Sequence, residues 1–459
     1  MLLPHQFRVS LSRRQAIHLI AGTSASVAIA GCGGGAASSS GTGSGPSTWP
    51  PSLPVGVWSP TAAEQSFLDD LEQQACLYFW EQANPTNGQV LDRASNSLGG
   101  AMDSRVTSSI AATGFGLTAL CIAASRGYLT QAQVLARVQL TLNFHLDQMP
   151  DQNGFFYHFN DVNTGQPLSG TEVSSIDTAI LMCGVLTARA YFNDATVTTL
   201  ATQLYERVNW PWMLNNGGTF AQAWYPATGF SSYRYDTYCE LMMLYLLAIG
   251  SPTYPIATSC WANFARPTMS YEGYSYISNQ ADPLFTHQFS HAWFDFRAKT
   301  DAYADYFNNS VAATQAHETW CLAYPTVSSP YYTEDYWGVS ASDSASGYVA
   351  WGGPPLMGPV DGSVVPSAAA GSLVFLPNQC MRVLQALRSS YGTRAWGRYG
   401  FVDAFHPTAN WYDADVLGID LGIGLLMAEN LRTQLVWNTF MSNLECDQAM
   451  SLAGFVKSS

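Results

Sequence analysis

Tyr235 to Pro252 reads YDTYCELMMLYLLAIGSP, and between Tyr238 and Ile249 its only ionisable carboxylate is Glu240. Apolar residues on every side of a 3.6-residue period mark a helix buried all round rather than one lying on a surface. Glu240 is thereby carried into low dielectric. There a carboxylate either finds partners or is driven toward its neutral form, the state a general acid needs. The same letters also fit a capping box, with Thr237 as the cap and Glu240 at the third helical position bonding back to it. The spacing alone leaves both readings open.

Working outward, further helical runs occupy about 61–82, 108–125, 130–147, 174–193, 195–209, 300–322, 371–390 and 417–432. The runs at 108–125, 174–193 and 417–432 are apolar nearly all round, whereas 61–82, 130–147 and 195–209 keep a polar face. An inner layer of helices shielded by an outer one satisfies that mixture, which predicts an all-α fold of the α/α toroid kind. Two-residue alternation is confined to hairpin candidates at 154–167, turning at Asn163–Gly165, and at 218–234, turning around Pro226–Gly229. No fixed-period repeat is present, which argues against a solenoid.

Hydrophobic residues make up 47% of the 459 and charged ones 11%, so a large core is available and disorder over most of the length is excluded. The formal charge of −14 argues against nucleic acid and acidic polymers as partners. Many of the 14 Trp and 24 Tyr stand in segments rich in Gly, Pro and Ser, where rings suit stacking on the flat faces of sugars as well as core packing. The N-terminus reads as an address. Ser12-Arg-Arg-Gln-Ala-Ile17 resembles a twin-arginine motif, an apolar run follows to Ala30, and Ile29-Ala-Gly-Cys32 resembles a lipobox. These predict an export signal over 1–31, a lipid anchor on Cys32, a Gly/Ser/Pro tether over 32–59 and one folded domain over 60–459. The expected location is the periplasm or cell surface, with the membrane touched only through the anchor. The nine cysteines are scattered with no CxxC pair, so no dense disulfide framework is expected, although one or two bridges stay open.

HExxH, P-loop, dinucleotide-binding and Gly-x-Ser-x-Gly signatures are all missing. His287 and His291 have the spacing of a metal pair but lack acidic companions, and neither metal nor cofactor is expected. What remains is a set of acids and rings at helix ends and in loops. Asp177 falls in the first turns of an apolar helix, where a capping role competes with a functional one. His291-Ala-Trp293-Phe-Asp295-Phe-Arg297 offers a polar ledge, or simply an Asp295–Arg297 ion pair. Trp337 and Asp343 lie in a long Gly/Pro/aromatic loop, about 324–367. Asp413 and Asp415 lead into Asp420, which repeats the situation of Glu240, an acid at the mouth of a buried helix. Two such carboxylates on one cleft are what glycoside cleavage requires, one protonating the leaving oxygen and the other activating water.

The motifs ATGFGLTAL (112–120), SSIDTAIL (174–181), YCELMMLYLLAIGSP (238–252), FSHAWFDFR (289–297), WGVSASD (337–343), AAAGSLVFLP (368–377), WGRYGFVDAFHP (396–407) and LGIDLGIGLLMAEN (417–430) together resemble the glycoamylase-like family of bacterial carbohydrate enzymes. The resemblance implies an (α/α)6 barrel and glycoside hydrolysis, with inverting endo-β-1,2-glucanases among its members. It implies Glu240 as general acid and Asp420 on the base side. Asp177, Asp343 and Asp415 would line the cleft, with His291, Trp293, Arg297 and Trp337 holding sugar hydroxyls and ring faces. In such relatives a substrate hydroxyl can relay the water's activation, which relaxes the usual carboxylate separation of about 6.5–9.5 Å. Leu421 and Ser367 depart from the Gln and Tyr frequent in the family, which bears on linkage preference. The implied protein is a monomeric, exported glucan hydrolase. The alternative is a carbohydrate-binding lipoprotein without catalysis that serves glycan uptake. A lyase fits less well, because acidic polymers want a basic cleft.

Overall fold

Thr61 opens α1 (Ala62–Glu81) with both bonds of a capping box: its hydroxyl accepts the Glu64 N–H at 3.2 Å, and its own N–H donates to Glu64 Oε2 at 2.7 Å. The chain is described here by a computed structural model covering residues 58–97, 99–279, 283–324, 332–355 and 360–458. The expected export signal and Cys32 lie outside the described residues, as does nearly all of the tether. After α1 come α2 (Ile110–Arg126), α3 (Gln131–Asp147), α4 (Ser175–Phe192), α5 (Ala195–Glu206), α6 (Trp210–Leu214) and α7 (Met242–Gly250). Then follow α8 (Phe289–Trp293), α9 (Tyr306–Ala323), α10 (Pro366–Ala370), α11 (Pro377–Tyr391), α12 (Gly418–Arg432), α13 (Leu435–Met441) and α14 (Leu444–Leu452).

Burial sorts these helices into two layers. Every residue of α2 from Ile110 to Ala124 is buried, as is every residue of α7 from Met242 to Ile249. In α4 the run from Ser175 to Ala188 is buried except at Asp177. These all-apolar helices close on one another: α2 packs on α4, α4 on α7, α7 on α8, α8 on α12, and α12 back on α2, with α10 against α12. Outside them, α1 covers the seam between α2 and α12, α5 covers α4, α14 covers α7 and α11 covers α10. The fold is therefore helix-rich and two-layered, as the mixture of apolar and amphipathic runs predicts.

The α2–α4 crossing is close because glycine permits it. A Cβ on Gly114 would strike the Ile180 carbonyl, and one on Gly184 would strike the Gly114 carbonyl. At the C-terminal ends of the inner helices a buried ion network ties three elements together. Arg126 Nε of α2 meets Glu429 Oε2 of α12 at 2.7 Å and Glu72 Oε2 of α1 at 3.4 Å, and Arg432 also reaches Glu72. The short α13 lies across that same end, where the Trp437 indole N–H donates to the His291 carbonyl at 2.6 Å and the Phe440 ring packs edge-on against Phe294 at 4.9 Å.

The structure corrects several boundaries. The helix expected at 237–249 begins at Met242, and neither end of the proposed capping box forms, since no side chain caps α7. Backbone pairing intervenes. Thr237 bridges Ala265 in parallel and the Tyr238 N–H donates to the Ala265 carbonyl at 2.8 Å, so the chain turns through Glu240 before it coils. The run at 300–322 starts only at Tyr306, capped by Asp305, whose carboxylate accepts the Asn308 N–H. The run at 371–390 starts at Pro377, a residue suited to a first helical turn but not to an interior. The hairpin candidate at 218–234 is present over its whole length, with Ala223–Tyr225 paired with Gly229–Phe230 and, outside them, Phe220–Ala221 paired with Arg234–Tyr235. At 154–167 the strands do meet across the expected turn, where Asn160 bridges Pro167 antiparallel and the Asp161 N–H donates to the Gln166 carbonyl at 2.8 Å, while Phe155–Phe156 turns back on Asp151–Gln152 and Phe159–Asp161 also pairs with Thr107–Ser109. The eight described cysteines are free thiols, and no described helix is long and apolar enough to cross a membrane.

Candidate active site

Short strands lead into three of the inner helices and are stitched side by side. Arg93–Ser95 pairs antiparallel with Asp415–Leu417, Leu91 bridges Ser108, Thr107–Ser109 pairs with Phe159–Asp161, and Val173–Ser174 pairs with Ala223–Tyr225. This belt gathers the N-termini of α2, α4 and α12 at one face, where the positive ends of the helix dipoles favour carboxylates.

Asp177 sits in the first turn of α4. The Ser174 hydroxyl donates to its Oδ2 at 2.5 Å, and the Asp177 N–H returns a bond to Ser174 Oγ at 3.3 Å. Beside it, His158 Nδ1 lies 3.0 Å from Glu172 Oε1 and 3.7 Å from Asp177 Oδ2, with its ring stacked on Phe159 at 3.7 Å. Burial opposes a charge on this imidazole, but Asp177, Glu172 and the more distant Asp92 outweigh it and raise its pKa to about 9.

A second cluster forms around Asp343. Arg93 Nη1 contacts Asp343 Oδ2 at 2.5 Å while its Nε holds Asp92 Oδ2 at 3.1 Å. The Asp343 N–H donates to Asp403 Oδ2 at 2.7 Å. Carboxylate oxygens of Asp343, Asp403 and Asp413 lie within 4.8 Å of one another. Burial, reinforced by neighbouring carboxylates, pushes all three up: Asp403 well above the usual range, and Asp413 to about 7. Such a trio could ligate a divalent cation, but Arg93, bound to Asp343, already offsets part of its charge. After burial, the largest influence on Asp403 is Asp420. Asp420 is buried in the first turn of α12, accepts the Ser367 hydroxyl at 3.0 Å and lines a small cavity of about 30 Å³ with Leu71, Phe401, Asp403 and Leu421. Both departures from the family pattern, Ser367 and Leu421, thus stand at this carboxylate. Asp415 is gripped by the Arg105 guanidinium through two bonds, at 2.5 and 2.8 Å.

Glu240 is buried on the turn that leads into α7, and its carbonyl accepts the Ser290 hydroxyl of α8 at 2.7 Å. Three other expected residues, His291, Trp293 and Arg297, are not brought to this face. His291 is buried among Phe296, Phe307 and Phe375, its Nε2 lies 3.0 Å from Ser310 Oγ, and burial lowers its pKa to about 3. Trp293 is fully buried, with its indole N–H on Thr118 Oγ1 at 3.0 Å. Trp337 is also wholly buried, beside Gly338, whose carbonyl accepts the Val365 N–H at 3.0 Å just before α10. Arg297 pairs with Asp295 at 2.8 Å and stacks on Trp437 at 4.0 Å, beside Gln434 past the far end of α12. A helix of that length spans about 22 Å, so Arg297 is well away from Asp420. The apolar demand of the core took these rings, and the plain ion pair took Arg297. Asp403, Arg93 and His158 were missed. Asp92-Arg93 after an apolar Leu91, and Asp403 inside an aromatic Gly-rich run, were the available signals.

Residues 232–444 match the family model named Glycoamylase and described as "Putative glucoamylase". The likeness to the glycoamylase-like family carried by the motifs therefore holds. A curated relative from Parabacteroides distasonis, an exo β-1,2-glucooligosaccharide sophorohydrolase acting at the non-reducing end, is 27% identical over 434 residues, covering 86% of this chain. The chain spans 58% of that relative's length. Among solved structures, an endo-β-1,2-glucanase from Chitinophaga pinensis with sophorotriose and glucose is 26% identical, with a TM-score of 0.78 covering 86% of this chain and 99% of that one. A β-1,2-glucanase from Parabacteroides distasonis gives the same identity and TM-score over 86% of this chain and 60% of its own.

Proposed function

We propose that this protein is a glycoside hydrolase cleaving a β-1,2-glucan with inversion, on an (α/α)6 toroid whose inner helices present the catalytic carboxylates. The observation that carries the reading is the gathering of carboxylates, Asp343, Asp403 and Asp420 buried and Asp177 and Asp413 half-buried, around the N-terminal mouths of the inner helices. Relatives named as β-1,2-glucan hydrolases support the linkage. Glu240 serves as the general acid and protonates the leaving oxygen, and Asp420, held by Ser367, acts on the base side toward water. Asp177 and Asp343 accept hydroxyls of the sugar, and Asp415 with Arg105 fixes the rim. The protein is a monomer, exported by the twin-arginine route and anchored in the membrane by a lipid on Cys32. Reducing-sugar release and product analysis on linear β-1,2-, β-1,3-, β-1,4- and α-1,4-glucans test the activity. Cleavage confined to the β-1,2 polymer, lost by about 10²- to 10⁴-fold in Glu240→Gln and Asp420→Asn, is the expected result. Glucan binding without cleavage by the wild type would overturn it in favour of a binding lipoprotein. For export, loss of surface delivery on Arg13→Lys/Arg14→Lys is expected, and undisturbed delivery would remove the twin-arginine route.

A further inference from the structure

Strand register places a further ligand position outside the carboxylates. Val173 is bridged antiparallel by Tyr157 on one side and by Trp224 on the other. One residue back along both ladders, Glu172 stands opposite His158 and Tyr225, and the His158 N–H donates to the Glu172 carbonyl at 2.9 Å. Directly opposed residues on antiparallel strands share a face, so His158, Glu172 and Tyr225 form one row leading outward from Asp177. At the outer end of that row the surface opens into a cavity of about 310 Å³ lined by Tyr157, Leu168, Thr171, Tyr225 and Pro226, with no charged side chain in its wall. Its size is that of a small-molecule site. The hairpin that carries Tyr225 is braced from behind, because the neighbouring Trp224 and Phe230 rings pack on Trp212 at 5.7 and 5.0 Å.

We infer that this cavity is a distal subsite for one neutral sugar unit of a linear glucan, with Tyr225 as its stacking platform. It rests on the hydrolase reading for the identity of the chain it receives. A half-exposed phenol ring set among proline, leucine and threonine side chains offers a flat apolar face, with hydroxyls at its edge. The C–H face and equatorial hydroxyls of a pyranose match that pattern, and an anionic sugar finds no cation there. The subsite lies beyond Glu172, so it adds affinity for chains long enough to reach it and leaves the bond-breaking step unchanged.

The test is steady-state kinetics of wild type, Tyr225→Ala, Tyr225→Phe and Leu168→Ala on linear β-1,2-gluco-oligosaccharides of increasing length. Tyr225→Ala is expected to raise KM about three- to tenfold for the longer substrates only, with kcat unchanged. Leu168→Ala, in the lining of the same cavity, is expected to act in the same direction, and Tyr225→Phe to retain wild-type behaviour. An equal change at every length, or none at any, would overturn the proposal. Should the wild type cleave no glucan, the hydrolase reading fails by itself. Calorimetric titration of the same oligosaccharides into wild type and Tyr225→Ala then decides the subsite: a length-dependent loss of affinity supports it, and equal or absent binding overturns it.

Discussion

His158 lies between two carboxylates in a place where water is scarce, and its charge is held there by Glu172 and Asp177. Its pKa stands near 9 against an ordinary 6.5, so the stability it contributes is fully present below about pH 6.5 and is lost as pH rises through 9. His158→Gln is therefore expected to lower unfolding free energy on the order of 3 kcal/mol at pH 6, with the gap to wild type closing toward pH 9 in denaturant titrations. Asp413 has the opposite sign. Its folded pKa is raised to about 7 from 3.8, so the folded state holds a proton that the unfolded state has lost, and this group makes stability fall as pH rises from 4 to 7. Asp413→Asn is expected to flatten that fall in the same measurement. At this scale the sequence was legible for position: Asp177 and Asp420, each interrupting an oily run, fall in the first turns of buried helices. It was not legible for Asp403, whose importance comes from neighbours 60 residues away in sequence, such as Asp343.

Helices that are apolar all round could be found from composition alone, because nothing but burial accommodates a run such as Met242–Ile249. Their ends could not, since a backbone bridge at Thr237 or a proline at 377 decides where coiling starts. The α2–α4 crossing depends on two glycines that the sequence shows without explaining. Gly184→Ala would force a methyl into the Gly114 carbonyl and spread the two helices. It is expected to cost about 1–3 kcal/mol, read as a lower denaturation midpoint with an unchanged m-value. Gly229, whose Cβ would meet nothing within 4 Å, marks the contrast. Substitution there strains only the backbone, because its φ is +78°.

For the whole molecule, the two-layer arrangement followed from sorting helices by polarity, while the closure of the inner set required coordinates. The balance of charge carries its own prediction. With a net −14 and a cleft rich in acids, a neutral glucan should be drawn in by contact rather than by long-range attraction. Its kcat/KM is expected to stay within about twofold between low and physiological salt, where a charged substrate would shift far more.

The helix that lies across the far end, α13, has a further consequence. Trp437 and Phe440 cover that end of the inner helices, packed on His291 of α8 and on Phe294, so on the proposed (α/α)6 reading the inner ring is closed there. A polymer cleaved as proposed would then not be threaded through the ring and reeled along. It has to lie over the rim, and after each scission both fragments must depart by the route they arrived. Release, and hence the grip of the rim, then governs how many cuts follow one encounter.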